Sequence, residues 1–267
     1  MKRSIAIVLS ILMLAFALTG CAKAKDAAAD TAEQAADAAQ DVVNDAAGNA
    51  PSAASGDTAS AFYTAYSEGK SAVITKLMDG LGNNPDTTMS ALSFLGASFI
   101  DLYLLPALYF GLGETGVATA LSMMGAKDVT YQENGNQYTV TYQSAEGKTA
   151  ELKGTYDAGK SLICVGSTDG VENVFSDVYR TSFGYVGQFY SVSEDGTGTL
   201  YLFSVSGEDG SIGIVNGSDR PAGLTGGESA DFTNSAKEWY AINGSTITGM
   251  SAEGKSISFE YVPSENN

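Results

Sequence analysis

Carboxylates dominate the side chains that carry chemistry in this chain: 31 Asp and Glu stand against 14 Lys and Arg, and there is no histidine. Two carboxylates can hydrolyse a glycosidic bond when they face each other across a cleft at roughly 5 to 9.5 Å. Glu172, Asp177, Glu238 and Glu260 are available for this, but their spacing selects no pair. Without histidine there is no Ser-His-Asp or Cys-His arrangement, and the commonest transition-metal ligand is missing. Acid-base work would fall to Asp, Glu, Lys or Tyr. The acidic turns Ser193-Glu194-Asp195-Gly196-Thr197 and Gly207-Glu208-Asp209-Gly210-Ser211 offer the oxygen ligands that calcium takes. They lack the alternating acids and distal glutamate of a calcium loop, so hairpin turns explain them better. Cys164, inside the apolar run Leu162-Ile163-Cys164-Val165, is expected to be a buried thiol behaving as a small hydrophobe. These residues predict a noncatalytic protein with no metal site.

Aromatic residues are the other candidates. Phe183, Tyr185, Phe189, Tyr190, Trp239 and Tyr240 stand in strand-like stretches, where core and cross-strand packing is their usual role. An exposed aromatic face for a sugar or peptide is the alternative. The alternation in Tyr185-Val186-Gly187-Gln188-Phe189-Tyr190 does not say which side is wet.

The N-terminus carries a more specific pattern. Lys2 and Arg3 precede an uncharged apolar stretch from Ile5 to Leu18, followed by Leu18-Thr19-Gly20-Cys21. A charged start, a short apolar core and small residues before a cut are the three parts of a secretory signal peptide. The core of about 14 residues falls short of the roughly 20 needed to span a bilayer. Leu18-Thr19-Gly20-Cys21 resembles the lipobox of bacterial lipoproteins. That resemblance covers this segment only and implies that residues 1–20 are removed and that Cys21 receives a diacylglycerol, commonly carrying palmitate. No other cofactor is expected. The implied address is the outer face of the cytoplasmic membrane, or the outer membrane in a cell that has one.

Cleavage there leaves 12 basic against 31 acidic residues, a formal charge of −19. Such a surface repels nucleic acid and anionic headgroups, so neither is an expected partner. With Cys21 lipidated, only Cys164 remains and no internal disulfide can form, so stability must come from a core.

Residues 21–57 read as a stalk and linker. Asp26, Asp30, Glu33, Asp37, Asp41 and Asp45 recur every three or four positions among alanines. In a helix they would form one acidic, solvated stripe with little apolar surface to bury. Gly48 to Gly56 then reads as a flexible linker. Residues 58–267 form one domain, helical over 58–125 and strand-rich over 126–267. Asp57 is placed to cap a first helix with Phe62, Tyr66, Val73 and Leu77 near one face, ended by Gly80, Gly82 and Pro85. Thr87 to Phe110 reads as a very apolar helical segment bent at Pro106, and Glu114 to Met124 as a helix closed by Gly125.

Beyond Gly125 the pattern changes to period-two stretches such as Tyr138-Thr139-Val140-Thr141-Tyr142. Turn signals stand at Asn134-Gly135, Glu146-Gly147, Ala158-Gly159, Asp195-Gly196, Asp209-Gly210, Asn243-Gly244 and Glu253-Gly254. Together they predict an α+β fold, with N-terminal helices packed on one face of a curved antiparallel β-meander of about seven to ten strands.

On this reading the protein is a membrane-anchored extracytoplasmic binding lipoprotein, with an apolar cavity between helices and sheet lined by Leu102, Leu105 and Tyr109. The alternative is a structural or interaction component of the cell envelope with a filled core. Its partners would be the membrane through the lipid anchor, and an apolar ligand or an envelope protein. Met89 to Gly113 is long enough to cross a bilayer, but Asp101 near its centre argues for burial against the sheet instead.

Overall fold

The computed structural model describes residues 58–84 and 87–263. The leader, Cys21, the stalk and Asp57 lie outside the described residues.

Helix α1 runs from Ala59 to Gly82. Its cap is Thr58, whose side chain accepts from the Ala61 N–H at 3.1 Å, so the cap falls one residue later than expected. Phe62, Tyr63, Tyr66, Lys70, Val73, Ile74, Leu77 and Leu81 are buried along the helix. Gly69 lies on this stripe because a Cβ there would stand 2.6 Å from Val205 Cγ1. A glycine inside a helix costs about 1 kcal/mol relative to alanine. Here it lets a strand approach the helix backbone.

The apolar segment after α1 is not one helix. It breaks into α2 (Thr88–Ala91), a 3-10 turn (Leu92–Phe94), α3 (Leu95–Ser98), α4 (Ile100–Tyr103) and a second 3-10 turn (Leu105–Tyr109). Phe99 and Leu104, with ψ of −4° and 11°, interrupt the helical ladder, and Pro106 sits at the start of the last turn, where its missing N–H is not needed. No helix among the described residues is long and apolar enough to cross a membrane.

Helix α5 (Glu114–Met123) closes as read from the sequence. Gly125 has φ 86°; its N–H bonds to Ser122 O, and the Ala126 N–H to Leu121 O, each at 3.0 Å. This is a Schellman closure.

Eleven strands follow: β1 (Lys127–Asn134), β2 (Gln137–Gln143), β3 (Thr149–Asp157), β4 (Ser161–Thr168), β5 (Val171–Arg180), β6 (Tyr185–Val192), β7 (Gly198–Ser206), β8 (Asp209–Asn216), β9 (Glu238–Asn243), β10 (Thr246–Met250) and β11 (Ser256–Glu260). They form one antiparallel sheet in sequential order, and β1 and β11 are its unpaired edges, so it is not closed. The expected meander is present with more strands than the turn signals suggested.

One turn was not signalled and one lies two residues from its signal. Asp169-Gly170 joins β4 to β5 with φ of 51° and 79°, a two-residue turn with both residues left-handed. The turn between β7 and β8 is Gly207-Glu208, while Asp209 and Gly210 already pair with Ser206 and Val205 inside the ladder.

Register sorts the side chains into two cores. Val178, Phe189, Phe203, Ile212, Tyr240, Ile247 and Ile257 join the helical residues in the main core. On the opposite face Phe175, Tyr190, Leu200 and Leu202 form a second cluster with Ala236, beneath the long connection of residues 217–237. The central strands are therefore buried on both faces.

Candidate functional site

Each core contains a buried carboxylate, and these are the most chemically distinctive points of the domain. Asp101, on α4, lies in the main core. Its Oδ1 accepts from Lys70 Nζ at 2.7 Å and from the Tyr63 hydroxyl at 2.7 Å. The Lys70 and Asp101 side chains are 1% and 4% exposed. Lys70 Nζ also lies 5.7 Å from the Tyr66 ring centroid and 5.6 Å from that of Phe203, both cation–π distances. Burial, then the neighbouring Asp101 carboxylate, drives the ionisation of Tyr63 well above the usual tyrosine range, so its hydroxyl stays a donor.

Asp177, on β5, faces the second cluster and is 0% exposed. Its partners across the ladder are Ile163 and Gln188. The Leu224 N–H donates to its Oδ2 at 2.8 Å, while Oδ1 has no partner. Gln188 Nε2 donates to Ala222 O at 2.7 Å, so two successive stretches of the 217–237 connection are pinned to the sheet here. Burial pushes the Asp177 carboxyl up to about 6, the Leu224 N–H and Gln188 oppose this, and the Glu228 carboxylate adds to it. Further along, Arg220 pairs with Glu172 at 2.7 Å and lies 4.3 Å from the Phe175 ring centroid. Ser211 and Thr233 share a hydroxyl hydrogen bond of 2.6 Å. The connection is thus a clasp fastened to the sheet through Arg220, Ala222, Leu224 and Thr233.

The four carboxylates raised by the sequence do not converge. Glu238 is buried on the main-core side, where its ladder partner is Ile214, and it accepts from the Tyr240 hydroxyl at 3.0 Å. Asp177 projects from the opposite face. Glu172 lies on the same strand as Asp177, about 16 Å away at roughly 3.3 Å per residue, well beyond the spacing of a glycosidase pair. Glu260 is exposed and accepts from Ser245.

The acidic turns are likewise occupied locally. Glu194 pairs with Lys148 at 2.7 Å and Glu208 with Lys76 at 2.9 Å, and each lysine holds its partner's carboxyl below the usual range. Asp195 accepts from the Ser193 hydroxyl and the Thr197 N–H within its own turn. Among the described residues no group of three His, Cys, Asp or Glu is arranged to hold a metal.

Cys164 is buried, and burial pushes its thiol up to about 12, which keeps it protonated. Phe189 belongs to the main core and Tyr190 to the second cluster, so these neighbouring aromatics are buried on opposite faces.

Of the residues expected to line an apolar cavity, Leu105 and Tyr109 are 1% and 2% exposed in the main core. Leu102 is half-buried. An open depression of about 720 Å³ lies elsewhere, against Glu114, Thr115, Ala118, Thr119, Ser122 and Met123 of α5.

The sequence argued for burial of the segment around Asp101, with Asp101 itself near the rim or hydrogen-bonded; it is fully buried, and its partner Lys70 was not foreseen. Lys70 resembles any solvent-facing lysine on an amphipathic helix. One signal was available: it falls on the same helical stripe as Phe62, Tyr66, Val73 and Leu77. Compared with protein families, curated proteins and solved structures, the chain matches none.

Proposed function

We propose that this protein is a noncatalytic lipoprotein of the bacterial envelope, tethered outside the cytoplasmic membrane through Cys21. Its N-terminal helices pack on one face of a curved sheet to make a filled body, and binding takes place at the surface. The lipobox-like Leu18-Thr19-Gly20-Cys21, after a charged start and a short apolar core, supports the anchor. Two acyl chains suffice for stable membrane attachment.

The observation that carries the surface reading is the occupancy of the helix-facing side of the sheet. Phe94, Leu104, Leu105, Leu108 and Phe110 fill it together with α1, each 1% exposed or less. An apolar ligand held between helices and sheet is the less supported alternative, because Leu105 and Tyr109 already make the contacts that such a ligand would make.

The address is tested by growing cells with labelled palmitate. Wild-type protein should incorporate label, and Cys21→Ser should lose it and accumulate as uncleaved precursor or released protein. Equal labelling of the two would refute the anchor.

A further inference from the structure

We propose that Lys70 and Asp101 become joined in this protein by an amide bond between Nζ and Cγ, which the folded chain forms by itself. Two reactive partners, a proton donor and a water-poor enclosure are already assembled. Lys70 Nζ stands 2.7 Å from Asp101 Oδ1, with side-chain exposures of 1% and 4%. The Tyr63 hydroxyl donates to the same oxygen at 2.7 Å, and the Tyr66 and Phe203 rings flank the ammonium at 5.7 and 5.6 Å.

A salt bridge this deep is a poor end state, since two ions lose their hydration and recover only part of it from each other. Passing one proton from Nζ to the carboxylate leaves a neutral amine beside a neutral carboxylic acid, and each costs less to bury. The Nζ lone pair then attacks Cγ. Well-oriented partners held at contact can react as if at effective concentrations of up to about 10⁵ to 10⁸ M.

The tetrahedral carbon bears Oδ1, to which Tyr63 is already hydrogen-bonded. As the Cγ–O bond breaks, Tyr63 passes its proton to Oδ1 and takes one from the nitrogen in the same step, so that no phenolate accumulates in the enclosure. One ammonium and one carboxylate become one amide and one water. No oxidant or cofactor enters. The amide carries no charge, and the enclosure that promotes its formation also keeps water from reversing it.

The bond would tie α1 to α4 across 31 residues of sequence. Cys164 is the only cysteine among the described residues, and it is free, so no disulfide links these elements. An amide would serve as the covalent brace that other exported domains obtain from cystines.

Trypsin digestion of the full-length protein, followed by peptide mass spectrometry, tests this directly. Free lysines would give fragments 26–70, 71–76 and 77–127. The bond predicts no cut after Lys70 and a branched species joining 26–76 to 77–127, one water lighter than the sum of the two. Lys70→Arg should restore the full mass and an unlinked 77–127. Unlinked fragments 71–76 and 77–127 at their full sequence masses in the wild-type protein would overturn the proposal whether or not any variant folds. Tyr63→Phe should leave a large unlinked fraction. Complete linkage in that variant would overturn the proton-donor assignment.

Discussion

In the main core Asp101 meets a lysine ammonium and a tyrosine hydroxyl, both at 2.7 Å, whereas beside the second cluster Asp177 meets one backbone N–H at 2.8 Å and keeps an oxygen without a partner. The same side chain at similar depth is balanced by a cation in one place and by dipoles in the other. Burying a carboxylate is costly in either case, and compensation decides how much of that cost persists at neutral pH. Asp101 should therefore be intolerant of losing its partner, while Asp177 should be better off losing its charge.

The largest effect is expected from Lys70→Met, which leaves Asp101 buried and uncompensated. Removing one member of such a pair costs about 3 to 5 kcal/mol. Urea unfolding of this variant should show a midpoint lowered to match. Pairing it with Asp101→Leu should recover the part of the loss that comes from the uncompensated charge, because an apolar pair of similar volume carries no desolvation cost, and leave the part that belongs to the lost amide. A double variant as unstable as the single one would break the comparison.

Asp177→Asn should act in the opposite sense. With the folded carboxyl raised to about 6 from an ordinary 3.8, the native state holds the proton more tightly than the unfolded chain. Stability from this group is therefore present at low pH and is lost as pH rises through that window. A shift of that size corresponds to about 2 to 3 kcal/mol against the fold at neutral pH. The amide variant should be stabilised by an amount of that order at pH 7 and by almost nothing near pH 4. An equal gain at both pH values would show that charge is not the cause.

Arg220→Ala probes the clasp where it is half-exposed. Its ring contact and ion pair together should contribute about 1 kcal/mol. Faster proteolysis within residues 217–237, with the main core unchanged, is the expected signature. Simultaneous loss of both cores would mean that the clasp is not a separate layer.

The legibility of these two regions in the sequence differs as well. The meander was readable because Gly135, Gly147, Gly159, Gly196, Gly244 and Gly254 each mark a turn with positive φ. The end of α5 was readable because Gly125 supplies the left-handed residue that a Schellman closure needs. Asp209-Gly210 misled because the composition of a hairpin turn also fits the first rungs of a strand.

The Lys70–Asp101 pair was half legible. Asp101 interrupts an apolar run and had to be compensated, but its partner lies 31 residues away and carries no local mark. The clasp was not legible at all. Residues 217–237 show neither a two-residue nor a helical period, and their few fastenings, Arg220, Ala222 O, Leu224 N–H and Thr233, include two backbone groups that no side-chain pattern reveals. Asp177 stood among four equivalent acids until register placed it opposite Gln188.

The central claim, a filled body that binds at its surface, is tested most directly by native mass spectrometry. The protein would be purified from cells without denaturation, with limited proteolysis to remove the lipidated end that the proposed anchor implies. The account predicts a domain whose mass is that of the polypeptide, less one water where Lys70 and Asp101 are joined, with nothing apolar bound in stoichiometric amount. A small apolar molecule retained at one per chain and released only on unfolding would contradict it.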